Sequence, residues 1–268
     1  MKKKRWPGNK ETLVSGRHKS TAKLPQKWGQ YVLTDKEIIG KIISALELKH
    51  EDTVLEIGAG TGVLSVIIKE KAGRLIAVEI DKMLCTILES KGIKAVKADF
   101  LKMDLSSLPP RVKIVSNLPY YITTPIITRI FKRKVPFSCM VLMMQEEVAR
   151  KITAGPGGRD YRMLSIMAQF YSDLEVLASV SRNCFQPVPK VDSCLVRFRK
   201  KKPVPLVFPE EFLFKVIRAG FGSRRKMLRN ALSGWNGLGD INIDLSRRAE
   251  SLTIGEFCRL AEGLWIRQ

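Results

Sequence analysis

The segment Asn117-Leu118-Pro119-Tyr120 carries the residue types best suited to gripping a flat, amino-bearing base. It follows the apolar run at 112–116, which reads as a buried strand, so the four residues fall just outside a strand carboxyl end. The Asn117 amide oxygen can accept a hydrogen bond from an exocyclic NH2. The Leu118 backbone carbonyl offers a further acceptor, and beyond Pro119 the Tyr120 ring can stack on the base. A proline–tyrosine turn closing a strand explains the same four residues without any ligand.

Upstream, Val54-Leu55-Glu56-Ile57 runs into Gly58-Ala59-Gly60-Thr61-Gly62, a strand entering a glycine turn through which a ligand can approach the backbone. Glu79 follows 21 residues after Gly58, at the end of the second predicted strand, where a carboxylate accepts both hydroxyls of a ribose. Asp99 ends the third, placed to meet an adenine amino group, with Phe100 beside it to cover the ring. A dinucleotide shares the glycine turn and the ribose acid. The spacing GxGxG rather than GxGxxG favours S-adenosylmethionine, as does Glu56, suited to a ligand amino group rather than a pyrophosphate. A solvated strand-end acid accounts for Glu79 or Asp99 singly, but less well for both in register.

These side chains need a frame. Apolar strand patterns occur at 53–57, 75–79, 95–98, 112–116 and 139–143, with helical periodicity between them. Two further strands are expected near 175–179 and 193–199, as an antiparallel edge pair. Thr34 with Glu37 reads as a capping box for the first helix, and Thr253 with Glu256 as one for the last. Ser223 reads as the cap of a helix carrying Met227, Leu228, Ala231 and Leu232. The expected fold is α/β: a doubly wound, mostly parallel, seven-stranded Rossmann-like sheet, followed by a small all-helical C-terminal domain.

Composition names a partner class. The chain holds 47 Lys and Arg against 26 Asp and Glu, a formal charge of +21 over 268 residues, which points to a polyanion and foremost to nucleic acid. No apolar run is long enough for a membrane span, and no apolar h-region follows the basic start. The five cysteines form no CxxC, and with only His18 and His50 beside them no metal site is expected. They read as reduced thiols of a cytoplasmic protein. Residues 1–27, with nine Lys or Arg against one acid, read as a flexible basic arm. Residues 28–202 then form the S-adenosylmethionine-binding catalytic domain, and 203–268 a helical RNA-binding domain.

The ordered set WGQYVLTD, VLEIGAGTG, AVEID, ADFL, NLPYYITTPI and FQPVPKVDS resembles the ribosomal RNA adenine N6,N6-dimethyltransferases over roughly residues 28–232. That family includes the housekeeping small-subunit dimethylases and the macrolide-resistance methylases of the large-subunit RNA. The resemblance implies that Gln30, Tyr31 and Leu33 lie over the methionine end of the cofactor. It assigns Gly58, with Gly60, to the cofactor turn, Glu79 to the ribose, Asp99 to the adenine, and Asn117, Leu118, Pro119 and Tyr120 to methyl transfer. Phe185 is either a second stacking ring or a core aromatic. AGPGGRDYRMLSI at 154–166 and the basic stretch Arg224, Arg225, Lys226 and Arg229 resemble the small-subunit branch. This implies dimethylation of adenine N6 in small-subunit ribosomal RNA, within an assembly particle, by a monomer. The alternatives are a large-subunit methylase and a non-catalytic nucleic-acid-binding factor on the same fold. Two positions depart from the family pattern: Tyr31 where Asn or His is usual, and Tyr121 where Asn usually follows NLPY.

Overall fold

The computed structural model describes residues 31–118, 120–223 and 225–267, with backbone only for Tyr120 and Asp240. The arm at 1–27 lies outside them. Strands and helices alternate as β1 (Val32–Leu33), α1 (Lys36–Leu46), β2 (Thr53–Ile57), α2 (Val63–Lys71), β3 (Arg74–Glu79) and α3 (Lys82–Ser90). Next come β4 (Ala95–Lys97), β5 (Val112–Asn117), α4 (Thr123–Lys132), β6 (Phe137–Gln145), α5 (Glu146–Thr153) and α6 (Met163–Tyr171). The chain continues through β7 (Ser172–Val180), β8 (Phe185–Gln186) and β9 (Ser193–Lys200) into α7 (Glu210–Gly222), α8 (Leu228–Ala231) and α9 (Ile254–Trp265).

Seven strands form one sheet in the order β4-β3-β2-β5-β6-β9-β7. β4, β3, β2, β5 and β6 run parallel to one another, and β9 runs antiparallel to β6. The α/β, mostly parallel, seven-stranded sheet expected from the sequence is therefore present. Chain order reverses beside β2, with β3 and β4 on one side and β5 and β6 on the other. In open α/β sheets, ligands bind outside the strand carboxyl ends at such a switch point. The strands that build it are locked by burial: Val54, Leu55, Ile114, Val115 and Met140 to Met143 are essentially inaccessible to solvent. Each such aliphatic side chain contributes about 1.5–3 kcal/mol relative to exposure.

Two short strands absent from the sequence reading, β1 and β8, pair antiparallel as a separate ribbon. Thr34 explains both this ribbon and a correction. Its backbone N–H and its hydroxyl both donate to the Cys184 carbonyl, at 2.9 and 3.1 Å, so its side chain is not the helix cap. Asp35 caps α1 instead, accepting from the Glu37 and Ile38 N–H groups. The Thr253–Glu256 capping box of α9 forms as expected, with Glu256 accepting from the Thr253 N–H at 2.7 Å.

The described residues divide into two compact units, the part up to Ala149 with Leu174–Arg199, and Arg150–Asp173 with the part from Lys200 onward. The second begins earlier than the 203–268 read from sequence. Tyr161, Ile166 and Phe170 pack in one core with Phe212, Leu213 and Phe257, so α6 belongs with the C-terminal helices. Ser223 does not start a helix. It ends α7, its carbonyl accepts from Lys226 in a turn, and only the four residues of α8 are helical before Leu232. The Leu228 and Arg229 N–H groups donate to Arg247 and Leu245, fixing this basic stretch as a turn rather than a long helix.

Candidate active site

Four strand ends converge on a cavity of about 250 Å³ in the first unit. Tyr31 and Leu33 line it from the β1 ribbon, Gly58 and Gly60 from the turn after β2, Glu79 from β3, Asp99 from beyond β4, and Asn117 and Leu118 from β5. Glu56, Tyr121, Ile122 and Ile126 line it too. Gln30 and Pro119 lie outside the described residues, as does the side chain of Tyr120.

The glycine turn and Glu79 are one device. Gly58 and Gly60 have φ of 72° and 57°, in the left-handed region that a side chain disfavours. That conformation aims the Gly60 N–H at Glu79 Oε2, 2.8 Å away. The other oxygen, Oε1, accepts from the Ile80 and Asp81 N–H groups at 2.8 and 3.0 Å. The Glu79 carboxylate is 4% exposed, and both its oxygens are fixed before any ligand arrives. The three backbone donors use three of its four lone-pair directions and leave one, on Oε2, for a hydroxyl donor.

Asp99 sits two residues past the last residue of β4. Its Oδ1 accepts from the Leu101 N–H at 2.9 Å, and its backbone carbonyl accepts from Lys102 and Met103. Phe100 beside it is 5% exposed and lines the cavity wall.

Asn117 is held by the nitrogen of its amide. Its Nδ2 donates to the Tyr31 carbonyl at 2.9 Å, which orients the amide and leaves Oδ1 as its acceptor. The preceding Ser116 hydroxyl donates to the Ile57 carbonyl, tying β5 to β2 at the mouth of the glycine turn. The following Leu118 N–H donates to Met143 on β6 at 3.1 Å. Tyr31 thus contributes through its main chain, so its departure from the family pattern does not remove this contact.

Glu56 is 2% exposed and accepts from the Ser65 hydroxyl at 2.5 Å. Burial pushes its carboxyl up to about 8; the Ser65 hydrogen bond opposes this and the Glu79 charge adds to it. Between the ordinary value of 4.5 and about 8, the folded protein holds a proton that the unfolded chain has released. Stability therefore falls as pH rises through that window. Glu56→Gln keeps an acceptor for Ser65 without the ionisation. Its melting temperature should exceed that of the parent by a margin growing from pH 5 to 8 and levelling above. A margin independent of pH would show that Glu56 does not titrate in that range.

Other expectations are corrected. Phe185 is 1% exposed and packs in the core with Leu33, Val180 and Met143, so it is the core aromatic and not a second stacking ring. The glycine-rich stretch at 155–158 belongs to the second unit, where Gly157 donates to the Glu250 carbonyl at 2.7 Å. In the cationic run at 199–202, Arg199 pairs with Glu47 at 2.5 Å and Lys201 with Asp173 at 3.1 Å, while Lys200 lies over the Tyr171 ring. Arg225, Lys226 and Arg229 are exposed, and Arg224 lies outside the described residues.

Comparison with known proteins decides among the readings of this pocket. The model of the ribosomal RNA adenine dimethylase family matches residues 21–264. The chain belongs to that family. Among its relatives, the ribosomal RNA small subunit methyltransferase A of Lachnoclostridium phytofermentans is 37% identical over 261 residues, covering 88% of this chain and 90% of that protein. The crystal structure of a dimethyladenosine transferase from Plasmodium falciparum superposes with a TM-score of 0.73 at 25% identity, covering 85% of this chain and 95% of that one. That of the 23S rRNA methyltransferase ErmE gives 0.68 at 26% identity, covering 87% and 98%. As a member of the dimethylase family, the protein is an S-adenosylmethionine-dependent ribosomal RNA adenine methyltransferase. The pocket fits that cofactor, with a pre-oriented carboxylate, a turn holding three glycines, and a second acid beside an aromatic wall residue. Among the described residues no helix is long and apolar enough to cross a membrane, and no cluster of His, Cys, Asp or Glu could hold a metal.

Proposed function

We propose that the protein dimethylates adenine N6 in small-subunit ribosomal RNA, with Asn117 as the residue that presents the base. The observation carrying this reading is the Asn117 amide, oriented by the Tyr31 carbonyl at the edge of the cavity that Glu79 and Asp99 also line. S-adenosylmethionine supplies an electrophilic methyl group on a sulfonium.

The exocyclic N6 is a weak nucleophile because its lone pair is delocalised into the ring. Asn117 Oδ1 and the Leu118 carbonyl accept from the NH2 group and localise that lone pair toward the methyl carbon. The Tyr120 ring stacks on the adenine, which must leave any duplex to enter the site. As the N–C bond forms the methyl's bond to sulfur would break, its electron pair leaving with the neutral thioether, and the same acceptors would complement the positive charge growing on nitrogen. The alkylated nitrogen then loses its proton readily, so no strong base is required, and positioning is the main source of rate. Glu79 holds the ribose, Asp99 the adenine of the cofactor, and Gln30, Tyr31 and Leu33 cover its methionine end.

The small-subunit assignment follows the names borne by relatives such as that of Lachnoclostridium phytofermentans. A cytoplasmic monomer acting on an assembly particle is the form in which we expect it. Residues 1–27 and the exposed cations Arg225, Lys226 and Arg229 then serve the RNA backbone, in a helical RNA-binding domain reaching the C-terminus. Neutralising Arg225, Lys226 and Arg229 together should weaken RNA binding and lower its log–log salt slope by about 2–3. Filter binding from 50 to 300 mM salt measures this, and an unchanged slope would remove these cations from the interface.

Labelled-methyl transfer to under-methylated small subunits, large subunits and naked RNA tests the substrate. Label on small-subunit RNA is expected, and label confined to the large subunit would overturn the assignment.

A further inference from the structure

We propose that Tyr121 is the cover of the cofactor's adenosine half, carried on the same turn that grips the acceptor base. The inference rests on the reading of the cavity as the S-adenosylmethionine site and adds a residue to it.

Tyr121 lies in a single 3-10 turn, Tyr120–Ile122, between the end of β5 and the start of α4. It lines the cavity together with Glu79, Asp99 and Leu101, yet is 58% exposed. A large ring with that exposure contributes little to a core, and here it stands at the mouth with one part toward the cavity and the rest toward solvent. Such a ring can gain an apolar contact when a ligand arrives.

Its hydroxyl stays protonated. Partial burial raises its pKa, and the negative charges of Asp99 and then Glu79 raise it further. The two acids that sense this hydroxyl are the two assigned to the adenine and the ribose. A protonated phenol facing carboxylates is a hydrogen-bond donor, able to hold an acid or a ribose oxygen in place.

The turn itself is anchored downstream. Thr123 and Ile126, at the start of α4, are fully buried, and Ile122 and Ile126 also line the cavity wall. The Tyr121 ring can therefore swing about its side-chain torsions while the turn stays fixed. Rotamer motion of an exposed ring is fast compared with turnover. This suits an enzyme that transfers two methyl groups to one nitrogen, since the spent S-adenosylhomocysteine must leave and a second cofactor must enter between the transfers. A side-chain cover permits that exchange without dismantling Asn117 and Leu118, which hold the base.

The measurement is calorimetric binding of S-adenosylhomocysteine and of 5′-methylthioadenosine, which lacks the amino-acid end, to the whole protein. Wild type, Tyr121→Ala, Tyr121→Phe and Glu79→Ala are compared. Tyr121→Ala should weaken both ligands by the same factor, about ten-fold, because the lost contact is to the adenosine half. Tyr121→Phe keeps the ring and should stay within about three-fold of wild type.

Unchanged affinity in Tyr121→Ala, with wild type binding and Glu79→Ala failing to bind, would overturn the cover and leave the cofactor site standing. Loss of S-adenosylhomocysteine but not of methylthioadenosine would overturn it too, placing Tyr121 at the methionine end. Failure of wild type to bind either ligand would overturn the cofactor site itself. Melting curves of each variant, where the exposed position predicts a small shift, separate binding loss from unfolding.

Discussion

Asn117→Ala should lower single-turnover methyl transfer by about 10²–10⁴-fold, the range spanned by loss of orientation and of transition-state charge complementation. Affinity for S-adenosylhomocysteine should change far less, within about ten-fold, because Glu79 and its backbone donors are untouched. The residual change comes from the Tyr31 carbonyl, which loses the Asn117 amide and with it one tether of the β1 ribbon. Asn117→Asp separates the two parts of the role. It keeps an acceptor for the adenine amino group but replaces the Nδ2 donor with an oxygen facing the Tyr31 carbonyl. It should therefore remain severely impaired. Turnover near normal in Asn117→Ala, measured with labelled methyl under single-turnover conditions, would remove Asn117 from the reaction.

Glu79→Ala should have the opposite signature, raising the dissociation constant for cofactor about ten- to a hundred-fold. A hydrogen bond to a charged group contributes about 1.5–3 kcal/mol, and the free acceptor direction on Oε2 offers one to a ribose hydroxyl. The substitution also strands the Gly60, Ile80 and Asp81 N–H groups, so the glycine turn loses the anchor that shapes it. Water entering the open cavity offsets part of that cost, and the melting temperature should fall by only a few degrees. Glu79→Gln keeps the volume but turns an NH2 toward at least one backbone N–H, and it should bind cofactor nearly as poorly as the alanine variant. Wild-type affinity in either variant, read by calorimetry, would mean that the carboxylate does not meet the ribose.

How much of this was legible in the sequence depends on whether a residue acts locally or through a distant partner. Glu79, Asp99 and Asn117 could be read because each follows an apolar strand, and parallel strands of one sheet bring their carboxyl ends to one edge. The Thr253–Glu256 capping box could be read because its partners are three residues apart. Thr34 looked equally good, but its hydroxyl is taken by Cys184, 150 residues away, and Asp35 caps the helix in its place. The β1–β8 ribbon was hidden for the same reason, being two residues on each side, with Val32 opposite Gln186 and Leu33 opposite Phe185, far apart in the chain.

Phe185 carried two readings before Pro187, and only the packing with Leu33 and Met143 chooses the core. The assignment of α6 to the C-terminal unit likewise depends on rings far apart in sequence, Phe170 and Phe214 with centroids 5.5 Å apart. Tyr121 could be seen as a departure from the family pattern. That it lines the same cavity as Asp99 could not be read until the turn after β5 was placed.

The most direct test of the account is the identity of the modified nucleoside. Small-subunit RNA lacking its natural methylation, incubated with the protein and S-adenosylmethionine, should yield N6,N6-dimethyladenosine on complete digestion and mass spectrometry, and Asn117→Ala should yield almost none. Methyl groups found instead on cytosine, on ribose or on a ring nitrogen of adenine would contradict an Asn117 turn that presents the exocyclic amine.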